Sequence, residues 1–284
     1  MARLPYHGRV RYRELPPPSQ LRPFVRCFWV LENAGGPGAT ERILPDGCVE
    51  LILHYGAPMA REDESGGLEE QPHAIVAGQL RSAARFVSTG SLGMIGVRFE
   101  PWAAGPFLRE SLAAVTEQIV PLDAFWGAEA GELTERIAAA PDDEARVAIL
   151  TERLMARLLP PDETGRALGA ALGWIAESRG AIAIEEIARR LSWSRRRLER
   201  RFAEAVGLPP KSLCRIERFQ HVVASLADDA RPRLVDLAID AGYADQAHLA
   251  REFRELAGIP VTRYLAEQHP LSDAITGGSP PDKA

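Results

Sequence analysis

The C-terminal third of the chain contains two copies of one pattern. Residues 187–213 and 237–264 place the same or similar residues 50 positions apart early in the pattern and 51 apart later. The matching pairs are Ala188 and Ala238, Trp193 and Tyr243, Leu198 and Leu249, Arg200 and Arg251, Phe202 and Phe253, Gly207 and Gly258, and Pro209 and Pro260. Each copy predicts a short helix, a tight turn, and a second helix that ends at a Gly-apolar-Pro stop.

A unit of this kind is a helix-turn-helix, because the small alanine lets two helices cross closely and the turn directs the second helix outward. One helix fits the major groove of B-DNA. The connector of about 18 residues, ~27 Å of helix, would place the two outward helices near one DNA turn apart, ~34 Å. The alternative is a helical repeat that only packs against its neighbour, although two copies are too few for a solenoid.

Charge is concentrated on the first copy. The whole chain carries a net charge of −5, but residues 189–218 hold ten basic and three acidic residues. A basic patch on an acidic protein predicts a polyanionic partner at that place. A solvated helix face is the alternative explanation.

The two copies resemble the C-terminal domain of AraC/XylS-type transcriptional regulators over residues 166–268. The resemblance implies a sequence-specific DNA-binding transcription regulator with two recognition helices joined by a linker helix. It also implies the base-reading positions, which are Arg196, Glu199, Arg200, Gln246, His248 and Arg251. The neighbouring cations Arg195, Arg197, Arg201 and Lys211 are predicted phosphate contacts, which hold register without reading sequence.

Two departures from the family pattern weaken the expectation locally. Ala247 and Ala250 leave the second recognition helix with fewer polar readers, so its selectivity should be lower. Ala183 stands where a Ser, Thr or Asp usually caps a helix. For any single arginine of the first helix, simple surface charge is the alternative.

The N-terminal half predicts a mixed domain, β-rich to about residue 100 and helical over 105–159, which makes the fold class α+β. Residues 39–44 and 48–55 flank Pro45-Asp46-Gly47 and predict a hairpin. Residues 57–71 predict a solvent loop. Pro160 and Pro161 mark a boundary, so the predicted domains are 1–160 (regulatory or sensor), 165–268 (double helix-turn-helix) and a disordered tail, 269–284.

Three stretches of the N-terminal half, 43–48, 95–99 and 122–127, also resemble a β-rich domain that precedes the DNA-binding unit in some family members. The effector-binding residues stay unknown. Arg98 and Glu100 either line a pocket or, as the favoured interpretation, alternate on an exposed strand face. Asp46 is interpreted as a turn former and Cys48 as a buried, inert thiol.

Catalytic signatures are missing from the sequence: it has no H-E-x-x-H, P-loop, G-x-G-x-x-G or G-x-S-x-G motif. Its six histidines are scattered and its three cysteines lie far apart. We therefore expect no catalytic residues, no metal, no cofactor and no enzyme activity. The alternative is a small-molecule-binding or enzymatic N-terminal domain with a secondary DNA-binding module.

Double-stranded DNA is the predicted partner, and RNA polymerase, a small-molecule effector and a second copy of the chain are further candidates. The apolar stripe Val147, Leu150, Leu154 and Leu158 predicts either a homodimer seam through 142–159 or packing within its own domain. No apolar run is long enough for a membrane span and the N-terminus lacks a secretory signal, so a cytoplasmic location is expected. Effector, operator, regulated genes and the direction of regulation stay open.

Overall fold

The N-terminal half is built on two antiparallel sheets. The structure, a computed structural model, describes residues 10–33, 36–63, 65–159, 162–228 and 233–266, so the predicted tail at 269–284 lies outside the described residues. The strands are β1 (Val10–Leu15), β2 (Val25–Asn33), β3 (Thr40–Ile43), β4 (Glu50–His54), β5 (Met59–Glu62), β6 (Leu68–Glu70), β7 (Ala74–Ala77), β8 (Ala84–Ser88), β9 (Leu92–Phe99) and β10 (Ile119–Pro121). The six-stranded sheet has the order β1-β2-β9-β4-β7-β10, and the four-stranded sheet has the order β3-β8-β5-β6.

Helices follow the strands, as the sequence predicts. The N-terminal half continues with α1 (Gly105–Leu108), a 3₁₀ turn (Leu112–Ala114), α2 (Asp123–Trp126), α3 (Glu129–Ala139) and α4 (Asp143–Arg157). The C-terminal half contains α5 (Glu163–Glu177), α6 (Ile184–Arg190), α7 (Arg195–Ala205), α8 (Pro210–Asp228), α9 (Leu234–Asp240), α10 (Gln246–Ala257) and α11 (Val261–Ala266). Among these described helices, none combines the length and apolar character needed to span a bilayer.

The six-stranded sheet is the middle layer of the N-terminal half. Because successive side chains of a strand point to opposite faces, β2 sends Phe28 and Val30 into the core beneath the helices. The same strand sends Trp29 and Leu31 to a second core between the two sheets. Strand β9 is buried along its whole length, since it lies between β2 and β4 and is covered on both faces.

Gly96 in β9 makes room for the indole of Trp29. A Cβ placed at Gly96 would lie 2.1 Å from Cε2 of that ring. Any larger residue at position 96 would therefore push Trp29 out of the space between the sheets. The glycine fixes the position of the largest side chain on this face of the sheet.

Three local predictions in this region differ from the structure. The strands on either side of Pro45-Asp46-Gly47 do not form a hairpin, since β3 pairs with β8 while β4 pairs with β7 and β9 in the other sheet. The predicted loop at 57–71 contains β5 and β6, which pair with each other. Its composition is misleading because β6 is fully exposed and has no apolar face. The predicted helical region from residue 105 also holds the short strand β10.

The apolar stripe of α4 packs within its own domain. Leu150 and Leu154 are buried in the helix-side core, and Val147 and Leu158 pack against it. The helix begins at the side chain of Asp142, which accepts a hydrogen bond from the amide of Ala145 at 2.8 Å. The four residues of the stripe are therefore covered within the domain, whereas Met155 and Leu159 of the same segment are exposed.

Candidate DNA interface and cavity

The two C-terminal units have the same turn. In the first, the amide of Trp193 donates to the carbonyl of Ala188 at 2.9 Å, and in the second Tyr243 donates to Ala238 at 2.8 Å. The residue before each aromatic side chain lies in the left-handed region, with φ of 53° at Ser192 and 76° at Gly242. The predicted repeat therefore extends to the backbone of the turn.

The longer turn of the second unit is explained by its cap. Ser194 caps α7 by accepting from the amide of Arg197, whereas Asp245 caps α10 by accepting from His248 at 2.6 Å. Ala244 is the extra residue between the aromatic side chain and the cap. Ala183 forms no side-chain cap for α6, as the sequence suggests.

The outward faces of α7 and α10 carry the predicted base-reading positions. Leu198 and Phe202 of α7, and Leu249 and Phe253 of α10, are buried in one core that spans both units. Of the six predicted readers, His248 is half-buried and the others are exposed. The other five are Arg196, Glu199, Arg200, Gln246 and Arg251.

Several charged side chains on the surface of α7 form ion pairs within the protein. Arg195 lies 2.9 Å from both Glu199 and Glu185, so a predicted phosphate contact and a predicted reader pair with each other. Glu204 holds Arg201 at 2.9 Å and Arg200 at 3.6 Å. Most of these side chains are well exposed, so solvent weakens each pair and DNA phosphates can replace it.

Four cations of the interface have no ion-pair partner among the described residues: Arg196, Arg197, Arg251 and Lys211. Arg197 is exposed and lies over the ring of Trp193, with its guanidinium carbon 4.6 Å from the ring centroid. These side chains are available to a polyanion without breaking an existing salt bridge.

The His248 side chain contacts the residues that precede the N-terminus of α10. Its ring packs edge-on against Tyr243, with centroids 5.2 Å apart, and Nδ1 accepts from the amide of Ala244 at 3.5 Å. The tautomer that accepts at Nδ1 leaves Nε2 as a donor. A base or a phosphate can therefore be contacted only through Nε2.

The N-terminal domain binds the carboxyl end of α7. Carbonyls of the last helical turn have no partner within the helix. Thr116 Oγ1 donates to the carbonyl of Gly207 at 3.0 Å, and the side-chain amide of Gln79 donates to Val206. Gly207 has φ of 80° and a Cβ there would lie 2.4 Å from Thr116 Oγ1, so both the turn and the contact require glycine.

The carboxyl end of α10 is bound in the same way. The guanidinium of Arg42 donates to the carbonyl of Ala257 at 3.0 Å, and the amide of Ala83 donates to Leu256 at 2.7 Å. Helix α8, between the units, donates from Gln220 to the carbonyl of Pro45 at 2.6 Å. These contacts link residues more than 100 positions apart, so no local sequence signal predicts them.

A cavity lies between the two sheets of the N-terminal domain. It encloses about 820 Å³ including its opening to solvent. Its lining is mainly apolar, contributed by Ile43, Leu44, Ile52, Met59, Leu80, Phe86, Met94 and Ile119. Polar groups line it as well, and they include Trp29, Asp46, Glu50, His54, Arg61, Gln71 and Gln118.

Two buried side chains of the cavity lack partners in ordinary hydrogen-bond geometry. Trp29 is 1% exposed and His54 is 2% exposed. Among the described residues, no partner meets ordinary hydrogen-bond geometry for the indole N–H or for either imidazole nitrogen, although Glu50 lies near the indole and Gln71 near the imidazole. Buried polar groups without partners are rare in proteins, so these two side chains are suited to a bound molecule.

Arg98 is not on an exposed strand face, which corrects the favoured interpretation. It is buried beside the cavity, with Nε 2.8 Å from Glu50 and 3.4 Å from Asp46, and Nη1 3.4 Å from Glu14. The alternation fails as a signal because β9 is a central strand. Asp46 does form a turn, accepting from the amide of Cys48 at 2.9 Å. Burial raises the pKa of the Cys48 thiol well above its usual value, which agrees with an inert cysteine.

Burial lowers the pKa of His54 to about 4. Protonation of His54 therefore favours the unfolded chain. The neutral side chain contributes its full share of stability above the unfolded pKa of about 6.5, and this stability is lost as the pH falls toward 4. We expect this residue to remove about 2 kcal/mol of stability between pH 7 and pH 5. Urea unfolding at both pH values will show a smaller decrease for His54→Leu than for the unsubstituted protein. An equal decrease in both proteins would contradict a neutral His54.

Comparisons with known proteins cover both halves. Residues 187–267 match a family described as a helix-turn-helix domain, and residues 13–121 match one described as a domain of unknown function (DUF6597). No curated protein matches the sequence.

Solved structures similar to the chain include ToxT from Vibrio cholerae O395 bound to (E)-4-(8-methylnaphthalen-1-yl)but-3-enoic acid. The two are 10% identical with a TM-score of 0.47, over 91% of this chain and 98% of that one. Wild-type ToxT from Vibrio cholerae strain SCE256 bound to an unsaturated fatty acid is 11% identical, with a TM-score of 0.43 over 93% and 97%. The AraC-like transcriptional activator CuxR is 16% identical, with a TM-score of 0.29 over 76% and 86%.

Proposed function

We propose that this chain, a DNA-binding transcription regulator with a C-terminal helix-turn-helix domain of the AraC/XylS type, reads two adjacent major-groove segments of one duplex with α7 and α10. The observation that carries the proposal is the duplication. Each unit holds its second helix by the same buried residues and exposes a polar face at the same positions. Residues 165–268 form the DNA-binding domain in this proposal, and RNA polymerase is a further partner.

Within this proposal the six exposed or half-buried readers contact bases. Arg200 and Arg251 suit guanine, since a guanidinium can bond O6 and N7 together. Gln246 suits adenine, and Glu199 can accept from cytosine once Arg195 has moved to a phosphate. Arg195, Arg197, Arg201 and Lys211 neutralise phosphates and hold the register.

The matched pair Arg200→Ala and Arg251→Ala tests this arrangement. These residues hold equivalent places in the two units, so each variant should lose about 1–3 kcal/mol of discrimination at one base position. The two affected positions should lie about ten base pairs apart, one helical turn. Selection of binding sites from a random duplex pool, followed by measured affinities, will show both effects.

Arg197→Ala is the control, because loss of a phosphate contact should weaken binding equally for all sequences. If Arg200→Ala also weakens all sequences equally, Arg200 is a phosphate contact. If both variants change the same base position, the two helices do not read adjacent segments.

Control by a small molecule in the cavity is the second part of the proposal. Residues 1–160 form the regulatory domain. Three of its contacts to the DNA-binding domain are made by residues next to the cavity lining: Arg42 precedes Ile43, Pro45 precedes Asp46, and Gln79 follows Gly78. Leu44 lines the cavity and also packs in the core of the DNA-binding domain. A molecule that moves these walls will move the contacts at the ends of α7 and α10.

The alternative is a small-molecule-binding or enzymatic N-terminal domain with a secondary DNA-binding module. Within the described ranges, no group of three or more His, Cys, Asp or Glu side chains could hold a metal. The cavity offers binding groups, and the proposal includes no catalytic step.

A further inference from the structure

The cavity has an acidic end. Glu50, Ile52 and His54 share one face of β4, so Glu50 and His54 lie about 13 Å apart along the strand. Glu50 and Asp46 both line the cavity, near the buried indole N–H of Trp29. His54 stays neutral at pH 7 because its pKa is about 4. The two ends of the cavity therefore differ in charge.

Carboxylates outnumber cations at this end. Arg98 is shared by Glu14, Asp46 and Glu50, at 2.8–3.4 Å. Arg26 is the other cation nearby, and it pairs with Glu100 at 3.4 Å and faces Glu217 of α8. Burial raises the pKa of both Glu50 and Glu217, so a positive charge placed beside them would favour their ionised forms. Neither arginine lines the cavity itself; the lining contains Arg61, whose guanidinium donates to the carbonyl of Glu117.

We propose that the cavity binds an apolar molecule that carries one basic group, with the protonated amine at Glu50 and Asp46. The amine supplies the missing positive charge, and the Trp29 ring adds an aromatic surface of the kind that attracts cations. The apolar body lies among Ile52, Phe86 and the flexible side chains of Met59 and Met94. A carboxylate ligand would instead place a further negative charge beside Glu50 and Asp46, whose side chains are only 15% and 21% exposed.

This inference rests on the proposed function in taking the cavity as the effector site. It adds the chemical class of the effector and a route for its action. Asp46 adjoins Pro45, whose carbonyl is bonded to α8. An amine that draws Asp46 away from Arg98 would therefore shift the segment that contacts the DNA-binding domain.

Three probes of equal chain length test the class: n-octylamine, n-octanol and octanoate. Calorimetric titration of the full-length protein at pH 7 should show octylamine binding at least tenfold tighter than octanol, and octanoate binding weakest. Glu50→Gln should reduce octylamine affinity to that of octanol and leave octanol binding unchanged. Octanol binding reports that the cavity is intact in the variant. The exposed control Glu132→Gln should change none of the three affinities.

Octanoate binding as tightly as octylamine would overturn the proposal, and so would the absence of binding by all three probes. If Glu50→Gln fails to fold, Asp46→Asn decides, because an unchanged preference for the amine would overturn it. The DNA-binding proposal is judged separately by the Arg200 and Arg251 variants. Octylamine binding that leaves DNA affinity unchanged would support the ligand class and contradict effector control.

Discussion

Raising the salt concentration from 50 to 200 mM will weaken DNA binding by about two orders of magnitude. Each neutralised phosphate contributes about −0.9 to the slope of log K against log salt, so four contacts give about −3.6. The four proposed contacts are Arg195, Arg197, Arg201 and Lys211. Fluorescence anisotropy with a duplex selected by the full-length protein will measure the slope.

Lys211→Ala is the informative variant for this slope. Lys211 is exposed and has no ion-pair partner among the described residues, so its removal deletes one phosphate contact and little else. The slope should become shallower by about 1. Arg136→Ala is the control, since Arg136 lies on α3 and pairs with Glu152. A slope shallower than about −1 for the unsubstituted protein would contradict phosphate neutralisation by this surface.

Replacing Phe253 with alanine will lower the free energy of unfolding by about 3–5 kcal/mol. Phe253 is buried, and its ring lies 5.2 Å from Phe219 of α8 and 5.5 Å from Tyr264. Phe202→Ala should cost a similar amount, because Phe202 holds the equivalent place in the first unit and belongs to the same core. Urea unfolding followed by circular dichroism will measure both.

Both phenylalanine variants should also lose DNA binding, since one core supports α7 and α10 together. Ile239→Ala is the control in the same region, because Ile239 is 66% exposed and its loss should cost less than about 0.5 kcal/mol. A decrease below about 1 kcal/mol for Phe253→Ala would contradict the single core.

The C-terminal half could be predicted because its signals are local. Each unit contains a small alanine, an aromatic residue after the turn and a buried phenylalanine, all within two consecutive helices and the turn that joins them. The sequence contains this pattern twice. The same logic identified the exposed faces of α7 and α10. It could not identify the pairing of Arg195 with Glu185, which depends on how α6 and α7 are angled.

For the N-terminal half, the sequence predicts the fold class but not the pairing of the strands. A Pro-Asp-Gly turn is compatible with a hairpin, but whether β3 and β4 pair depends on strands that lie far along the chain. The alternation of the charged residues Arg98 and Glu100 predicts an exposed strand face, but Arg98 is buried. Its burial follows from the strands on both sides. The cavity could not be predicted either, because residues of both sheets, far apart in the sequence, form its lining.

The anchoring of the two reading helices uses main-chain oxygens as acceptors. The carbonyls of Val206, Gly207, Leu256 and Ala257 take the hydrogen bonds from the N-terminal half. Main-chain acceptors are present whatever side chain a position carries. Substitutions on the outer surface of either helix can therefore change its contacts with DNA while these hydrogen bonds from the N-terminal half stay intact.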